Sequence, residues 1–160
     1  MKIKTNELIG PALDWAVAKC EGYNPGVITV EEMVQEQLEA ERQHANRADV
    51  LEYLNTVFRA ACTPKLCNVD PDGFKAVYVV HYGGRSWPLA FSTDWAQGGP
   101  ILDRELIDVY TQYPCSGPVV WYGRHKGRIK GVGPTALIAA MRCFVSYKLG
   151  DAVEVPEELL

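Results

Sequence analysis

The sequence shows helical periodicity at its two ends and strand-like patterns between them, and this order most constrains the fold. Residues 10–22 and 135–149 place apolar side chains three and four positions apart, which is typical of helices that bury one face. Residues 74–82 and 85–91 are rich in β-branched and aromatic residues and are joined by two glycines, which predicts a β-hairpin. Further strand candidates are 1–4, 106–110 and 118–122. The pattern predicts an α+β fold with a small antiparallel β-sheet packed by N- and C-terminal helices.

The segment at about 27–72 predicts a helical hairpin inserted into that fold. Thr29 and Glu32 have the spacing of a capping box, and two helical apolar patterns follow before Pro64. The first helix carries a narrow apolar stripe, which suits either a solvated hairpin or a partner helix, including one from a homo-oligomer. A length of 160 residues indicates a single domain, 1–160, that contains this insertion.

Composition and charge favour a globular protein of the cytoplasm. Apolar residues make up 48% of the chain and charged residues 22%. The net charge of −4 argues against extensive nucleic-acid binding. No signal peptide or membrane-spanning segment is predicted, and the odd number of cysteines indicates reduced thiols. The five cysteines are residues 20, 62, 67, 115 and 143.

The segment 92–101 mixes polar side chains with glycines in a way that suits ligand binding. It follows the apolar run Leu89-Ala90-Phe91 and is predicted to form a loop. An indole can stack on a ligand, an acid and an amide can form directional hydrogen bonds, and glycines let the backbone approach closely. The predicted ligand-binding residues here are Asp94, Trp95, Gln97, Gly98 and Gly99. The alternative is a tight turn in which Trp95 fills the core.

A second segment, 124–135, alternates basic residues with glycines and leads into the last helix. The N-terminus of a helix attracts anions through its free N–H groups and partial positive charge. The predicted phosphate-binding residues are Arg124, Lys126, Arg128, Thr135 and Arg142. Nearby aromatic residues could stack on a base. The alternative is a solvated hairpin turn ahead of an ordinary helix.

The sequence identifies no catalytic residue, cofactor or metal site. Cys62 and Cys67 lack a second closely spaced pair of metal ligands. Cys115 and His125 form no recognised catalytic spacing. Carboxylates occur at 103, 105 and 108, but their pattern does not select a catalytic pair. Hydrolysis of a nucleotide therefore stays open only as an alternative.

Several stretches resemble the NinX-like proteins of lambdoid phages and their prophages. The first runs from Thr5 to Gly22 and contains Gly10-Pro11-Ala12-Leu13-Asp14-Trp15-Ala16. The others are 92–101, 133–143, 148–151 and 155–159. Together they cover a little under a third of the chain, and residues 27–72 depart from the family pattern. The resemblance implies a phage origin and carries no assigned chemistry.

These observations predict a phage accessory protein that acts by binding in the cytoplasm of the infected bacterium. The expected ligand is small, anionic and nucleotide-like, such as a host defence signal that the protein would sequester. A module that binds a host or phage protein is the first alternative, and a nucleotide hydrolase is the second. The sequence does not identify the ligand or the oligomeric state.

Overall fold

A buried helix organises the core of the computed structural model, which describes residues 1–29, 75–81, 85–112 and 117–160. This helix, α3 (Ala136–Leu149), has ten consecutive buried residues from Leu137 to Ser146. A helix that is buried on all sides must be covered by other elements, rather than presenting one face to solvent. Thr135 caps its start, because Oγ1 accepts a hydrogen bond from the Ile138 N–H at 3.2 Å.

Helix α1 (Gly10–Cys20) packs against α3 and completes much of the core. Pro11 lies in its first turn, where a missing backbone N–H is tolerated. Leu13, Ala16 and Val17 are fully buried, as their spacing predicts. Two short 3₁₀ helices lie at Thr5–Glu7, before α1, and at Glu157–Leu159.

Eight strands form two antiparallel sheets of three strands and a two-stranded ribbon in the described ranges. The ribbon pairs β1 (Lys2–Lys4) with β8 (Ala152–Glu154). The first sheet has the order β2 (Gly26–Thr29), β3 (Lys75–His81), β4 (Arg85–Pro88). The second has the order β5 (Asp108–Gln112), β6 (Val120–His125), β7 (Arg128–Gly133). The prediction of an α+β fold is confirmed.

Strand β2 overlaps the predicted start of the insertion, which was placed at about residue 27. Residues 27–29 pair with β3. Thr29, predicted to cap a helix, is the last residue of β2, and an extended backbone there is compatible with a cap. The remainder of the predicted insertion, 30–72, lies outside the described residues.

Glycines on β6 and β7 let α3 lie close to the second sheet. Gly123 and Gly131 are opposite each other across the two strands. A Cβ atom on Gly131 would overlap the carbonyl oxygen of Ala139, and one on Gly123 would lie 2.5 Å from the same oxygen. Gly123 and Gly131 therefore serve helix–sheet packing.

The predicted loop at 92–101 is mostly helical, which corrects the sequence interpretation. Helix α2 (Trp95–Glu105) begins after Asp94 and contains both glycines and Pro100. Glycine and proline lower intrinsic helix propensity, so the pattern indicated a loop. Burial of Gly98 and Ile101 stabilises the helix instead. No helix in the described ranges is long and apolar enough to cross a membrane.

Candidate functional site

The C-terminal ends of α1, α2 and α3 lie together. Arg104 of α2 pairs with Glu21, which follows α1, and Lys148 in the last turn of α3 pairs with Glu105 at 3.3 Å. Cations at C-terminal ends complement the partial negative charge of the helix dipole. This end of the molecule is therefore rich in charge, most of it paired.

The basic segment forms a tight turn at this same end. Lys126 and Gly127 connect β6 to β7, and both have left-handed backbone angles, with φ of 49° and 79°. The Lys126 ammonium donates a hydrogen bond to the hydroxyl of Tyr147 in the last turn of α3, at 3.1 Å. The turn thus lies by the C-terminus of α3, whereas Thr135 lies at its N-terminus. Lys126 and Thr135 therefore lie at opposite ends of α3, and phosphate binding by the basic segment stays a prediction.

The cations of the hairpin differ in their partners. Arg124 pairs with Asp108 at 3.1 Å, and Lys130 pairs with Asp151 at 3.2 Å. Lys126 and Arg128 have no acidic partner within the described part of the chain. Two uncompensated positive charges are therefore presented at the tip of the hairpin.

Tyr147 supplies an aromatic surface beside these charges. The residue is 43% exposed, and its ring centroid lies 4.0 Å from that of the buried His125. The ammonium groups of Lys126 and Lys148 lie 5.1 and 5.5 Å from the Tyr147 centroid. We call Lys126, Arg128, Tyr147 and Lys148 the basic-turn cluster. Positive charge next to an aromatic ring suits a ligand that is both anionic and aromatic.

The residues predicted to form a ligand loop at 92–101 have structural contacts. The Asp94 carboxylate caps α2 by accepting from the Ala96 N–H at 2.9 Å, and Gln97 Oε1 accepts from the Ala90 N–H at 3.0 Å. Gly98 is buried against Phe91 and Leu137, and Gly99 lies beside the Trp95 ring. Trp95 is 55% exposed, so it does not fill the core. Ligand binding by this segment stays a prediction.

The chain matches the family model of bacteriophage P22 NinX over residues 4–148. It belongs to the NinX family. The predicted resemblance is therefore confirmed, and with it the phage origin. A comparison with curated proteins gives no match. The family assignment covers the helices and sheets that hold both predicted segments, including the basic-turn cluster.

In this NinX-family chain, sequence reasoning missed a buried acid. Asp14 lies outside the apolar spacing of Leu13, Ala16 and Val17, but it is buried and accepts a hydrogen bond from the Ser92 N–H at 2.7 Å. Burial raises the pKa of Asp14 to about 7, against the opposing effect of Ser92. The Ser92 hydroxyl is near this carboxyl, yet it makes no hydrogen bond of standard geometry among the described residues. The sequence feature that could have indicated its burial is that Asp14 is the only charged residue from Pro11 to Ala18.

Arg142, which was predicted to bind phosphate, is buried in this NinX-family chain and links two elements of the core. Its Nε donates to the Leu8 carbonyl at 2.8 Å, and Nη1 donates to the Val132 carbonyl. Burial lowers the pKa of Arg142 below its usual value. The side chain therefore joins the start of α1 to the end of β7, and a role in ligand binding stays a prediction.

The described residues of this family member contain no group of three or more potential metal ligands. Burial raises the pKa of Cys20 to about 12 and that of Cys143 to about 11, which keeps both thiols protonated at neutral pH. The remaining cysteines, 62, 67 and 115, lie outside the described residues.

Proposed function

We propose that this NinX-family chain is a phage accessory protein that binds a small, anionic, nucleotide-like ligand at the basic-turn cluster. It acts by holding the ligand, without converting it, in the cytoplasm of the infected bacterium. Sequestration of a nucleotide that signals host defence is a role that requires a binding site and no catalytic group. The observation that carries the proposal is the backbone conformation of Lys126.

Lys126 has a φ of 49° in a two-residue hairpin turn. Asn and Gly are preferred at such positions, because a side chain in the left-handed conformation costs about 1–2 kcal/mol. Lysine is therefore unfavourable at this position of the turn. Its presence supports a function for the cation, since strained residues persist where another requirement selects them.

Arg128 supports the same conclusion from the opposite side of the turn. It is exposed and, like Lys126, has no acidic partner among the described residues. Arg124 and Lys130 in the same hairpin are neutralised by Asp108 and Asp151. Arginine and lysine together can hold a phosphate, one through a planar fork and the other as a point charge. The exposed part of Tyr147 offers a surface for the aromatic portion of the ligand.

The proposal is tested by identifying and measuring the ligand directly. The purified full chain is denatured and its released small molecules are analysed by mass spectrometry. Calorimetry then compares ATP, pyrophosphate and adenosine as probes. We expect ATP to bind more tightly than either fragment, because only ATP supplies both phosphate and an aromatic base. Appearance of a product mass during incubation with ATP would instead support a nucleotide hydrolase.

Substitutions at the turn locate the site. Lys126→Gly and Arg128→Ala should each weaken ATP binding by about tenfold, because a charge-assisted hydrogen bond contributes about 1.5 kcal/mol or more. Lys2→Ala removes an exposed cation on β1 and is the matched control, with affinity expected to stay unchanged. Wild-type affinity in both turn variants, or no binding of ATP to the wild-type chain, would overturn the proposal.

A further inference from the structure

A row of apolar residues follows one side of α2. With 3.6 residues per turn, Trp95, Gly99, Leu102 and Leu106 align along the helix at i, i+4, i+7 and i+11. Trp95 is 55% exposed and Leu106 is 79% exposed, while Leu102 is partly buried against the core. Gly99 lies beside the Trp95 ring and adds no side chain of its own. We call these four residues the α2 ridge.

Leu106 is unusual in its backbone as well as in its exposure. It ends α2 in the left-handed conformation, with a φ of 53°. The Ile107 N–H donates to the Leu102 carbonyl at 3.0 Å, which closes the helix in the manner of a Schellman motif. Glycine is normally favoured at this position, because a Cβ atom is disfavoured there. Neither helix termination nor core packing explains a leucine that is strained and exposed.

The charges around the ridge are predominantly negative. Arg104, the only cation of α2, is neutralised by Glu21 and Glu105. Asp103 lies next to the ridge on the solvent side, is exposed, and has no basic partner within the described ranges. The whole chain carries a net charge of −4. A partner that covers the apolar row would therefore bind more tightly if basic residues surrounded its own apolar surface.

We propose that the α2 ridge docks a basic amphipathic helix of another protein, with Trp95 and Leu106 as its two anchors. The anchors are eleven residues apart, about 16 Å along the axis, which matches three turns of a partner helix. Tryptophan is the residue type most enriched among those that dominate binding energy at interfaces. This surface contains no residue of the basic-turn cluster, so it is independent of the proposed nucleotide site.

The experiment uses two synthetic helical peptides of about 18 residues with the same apolar stripe. One carries lysine at every polar position, and the other carries glutamate. Fluorescence anisotropy of labelled peptide against the full chain should show binding of the lysine peptide and at least tenfold weaker binding of the glutamate peptide. Asp103→Lys should reduce this preference, because it reverses the charge beside the ridge.

Two substitutions separate docking from folding. Trp95→Ala should weaken lysine-peptide binding by about 30-fold or more, as loss of a hot-spot side chain does. Leu106→Gly should weaken it by about tenfold while raising the melting temperature by about 2 °C, since glycine relieves the left-handed strain. Ile9→Ala is the matched control, because Ile9 is 54% exposed and lies before α1; peptide binding should not change.

Three results would overturn the proposal. Equal affinity for the two peptides would show that charge does not select the partner. A marked loss of melting temperature in both ridge variants would show that the ridge packs on the chain itself. Concentration-dependent dimerisation in sedimentation experiments, abolished by Trp95→Ala, would show that a second copy of the chain occupies the ridge.

Discussion

The start of α2 and the β6–β7 hairpin look alike in sequence and differ in structure. Both combine glycines with polar and aromatic residues, and both were predicted to bind a ligand. In α2, Gly98 is buried and its missing Cβ makes room for Phe91 and Leu137. In the hairpin, Gly127 makes the turn, while Gly131 makes room for α3. A glycine next to polar residues therefore indicates close packing as readily as it indicates a ligand loop.

The two regions also differ in how they are attached to the core. The start of α2 is anchored by the buried Asp14 carboxyl, which accepts from the Ser92 N–H, and by Gln97, which accepts from the Ala90 N–H. The tip of the hairpin is held by the hydrogen bond between Lys126 and Tyr147 at the surface. We therefore expect changes at the first region to alter stability, and changes at the tip of the second to alter binding more than stability.

The largest effect is expected at Gly131, at the base of the hairpin. Gly131→Val places a side chain against the α3 backbone and should lower the free energy of unfolding by about 3 kcal/mol, measured by denaturant titration. Gly99→Ala in α2 is the control, because its Cβ atom would lie an acceptable 3.6 Å from the Trp95 ring. A Gly131 variant as stable as the wild type would contradict the packing role of these glycines.

Arg142 is the next strongest test, because it was predicted to act with the basic segment and is instead buried. Arg142→Met removes the donors to the Leu8 and Val132 carbonyls and should cost about 2 kcal/mol of stability. Arg142→Lys should cost less, since it retains one donor group. If Arg142→Met left stability intact but abolished ATP binding, the residue would belong to the ligand site.

The buried Asp14 carboxyl, which holds the start of α2, should make the stability of the protein depend on pH. Burial raises the pKa of Asp14 from 3.8 to about 7, so the folded protein retains a proton that the unfolded chain releases. The stabilisation that this retained proton gives the folded state is complete below about pH 4. The free energy of unfolding then falls as the pH rises to 7, by up to about 1 kcal/mol per pH unit, and levels off above pH 7. Thermal unfolding at a series of pH values measures it.

Asp14→Asn is the control for this dependence, because it stays neutral and retains an acceptor for the Ser92 N–H. Its stability should fall less between pH 5 and pH 7 than that of the wild type. Parallel pH profiles for the two proteins would show that Asp14 does not titrate in this range.

The smallest effect on stability is expected at the tip of the hairpin. Lys126→Gly relieves the left-handed strain but forfeits the hydrogen bond to Tyr147, so the net gain should be about 0.5 kcal/mol. Calorimetric unfolding measures this change beside the loss of ATP affinity predicted above. A loss of more than about 1 kcal/mol would mean that the turn is anchored as firmly as the start of α2.

The sequence by itself determined the elements that depend on local signals. The apolar spacing of residues 10–22 and 135–149 located α1 and α3, and two glycines marked the β3–β4 hairpin. Residues 133–143 and the other family stretches also sufficed for the assignment to the NinX family. These features follow from backbone preferences and periodicity, which act over a few neighbouring residues.

Only the tertiary structure decided how these elements meet. The basic turn adjoins the C-terminus of α3 because α3 runs back along β7. The apolar periodicity of the sequence does not indicate this direction. Helix α2 forms despite two glycines and a proline because burial of Gly98 and Ile101 outweighs their low propensity. The hydrogen-bond donor of the buried Asp14 is Ser92, 78 positions away. Contacts between distant segments decide all three, and local sequence preferences do not encode them.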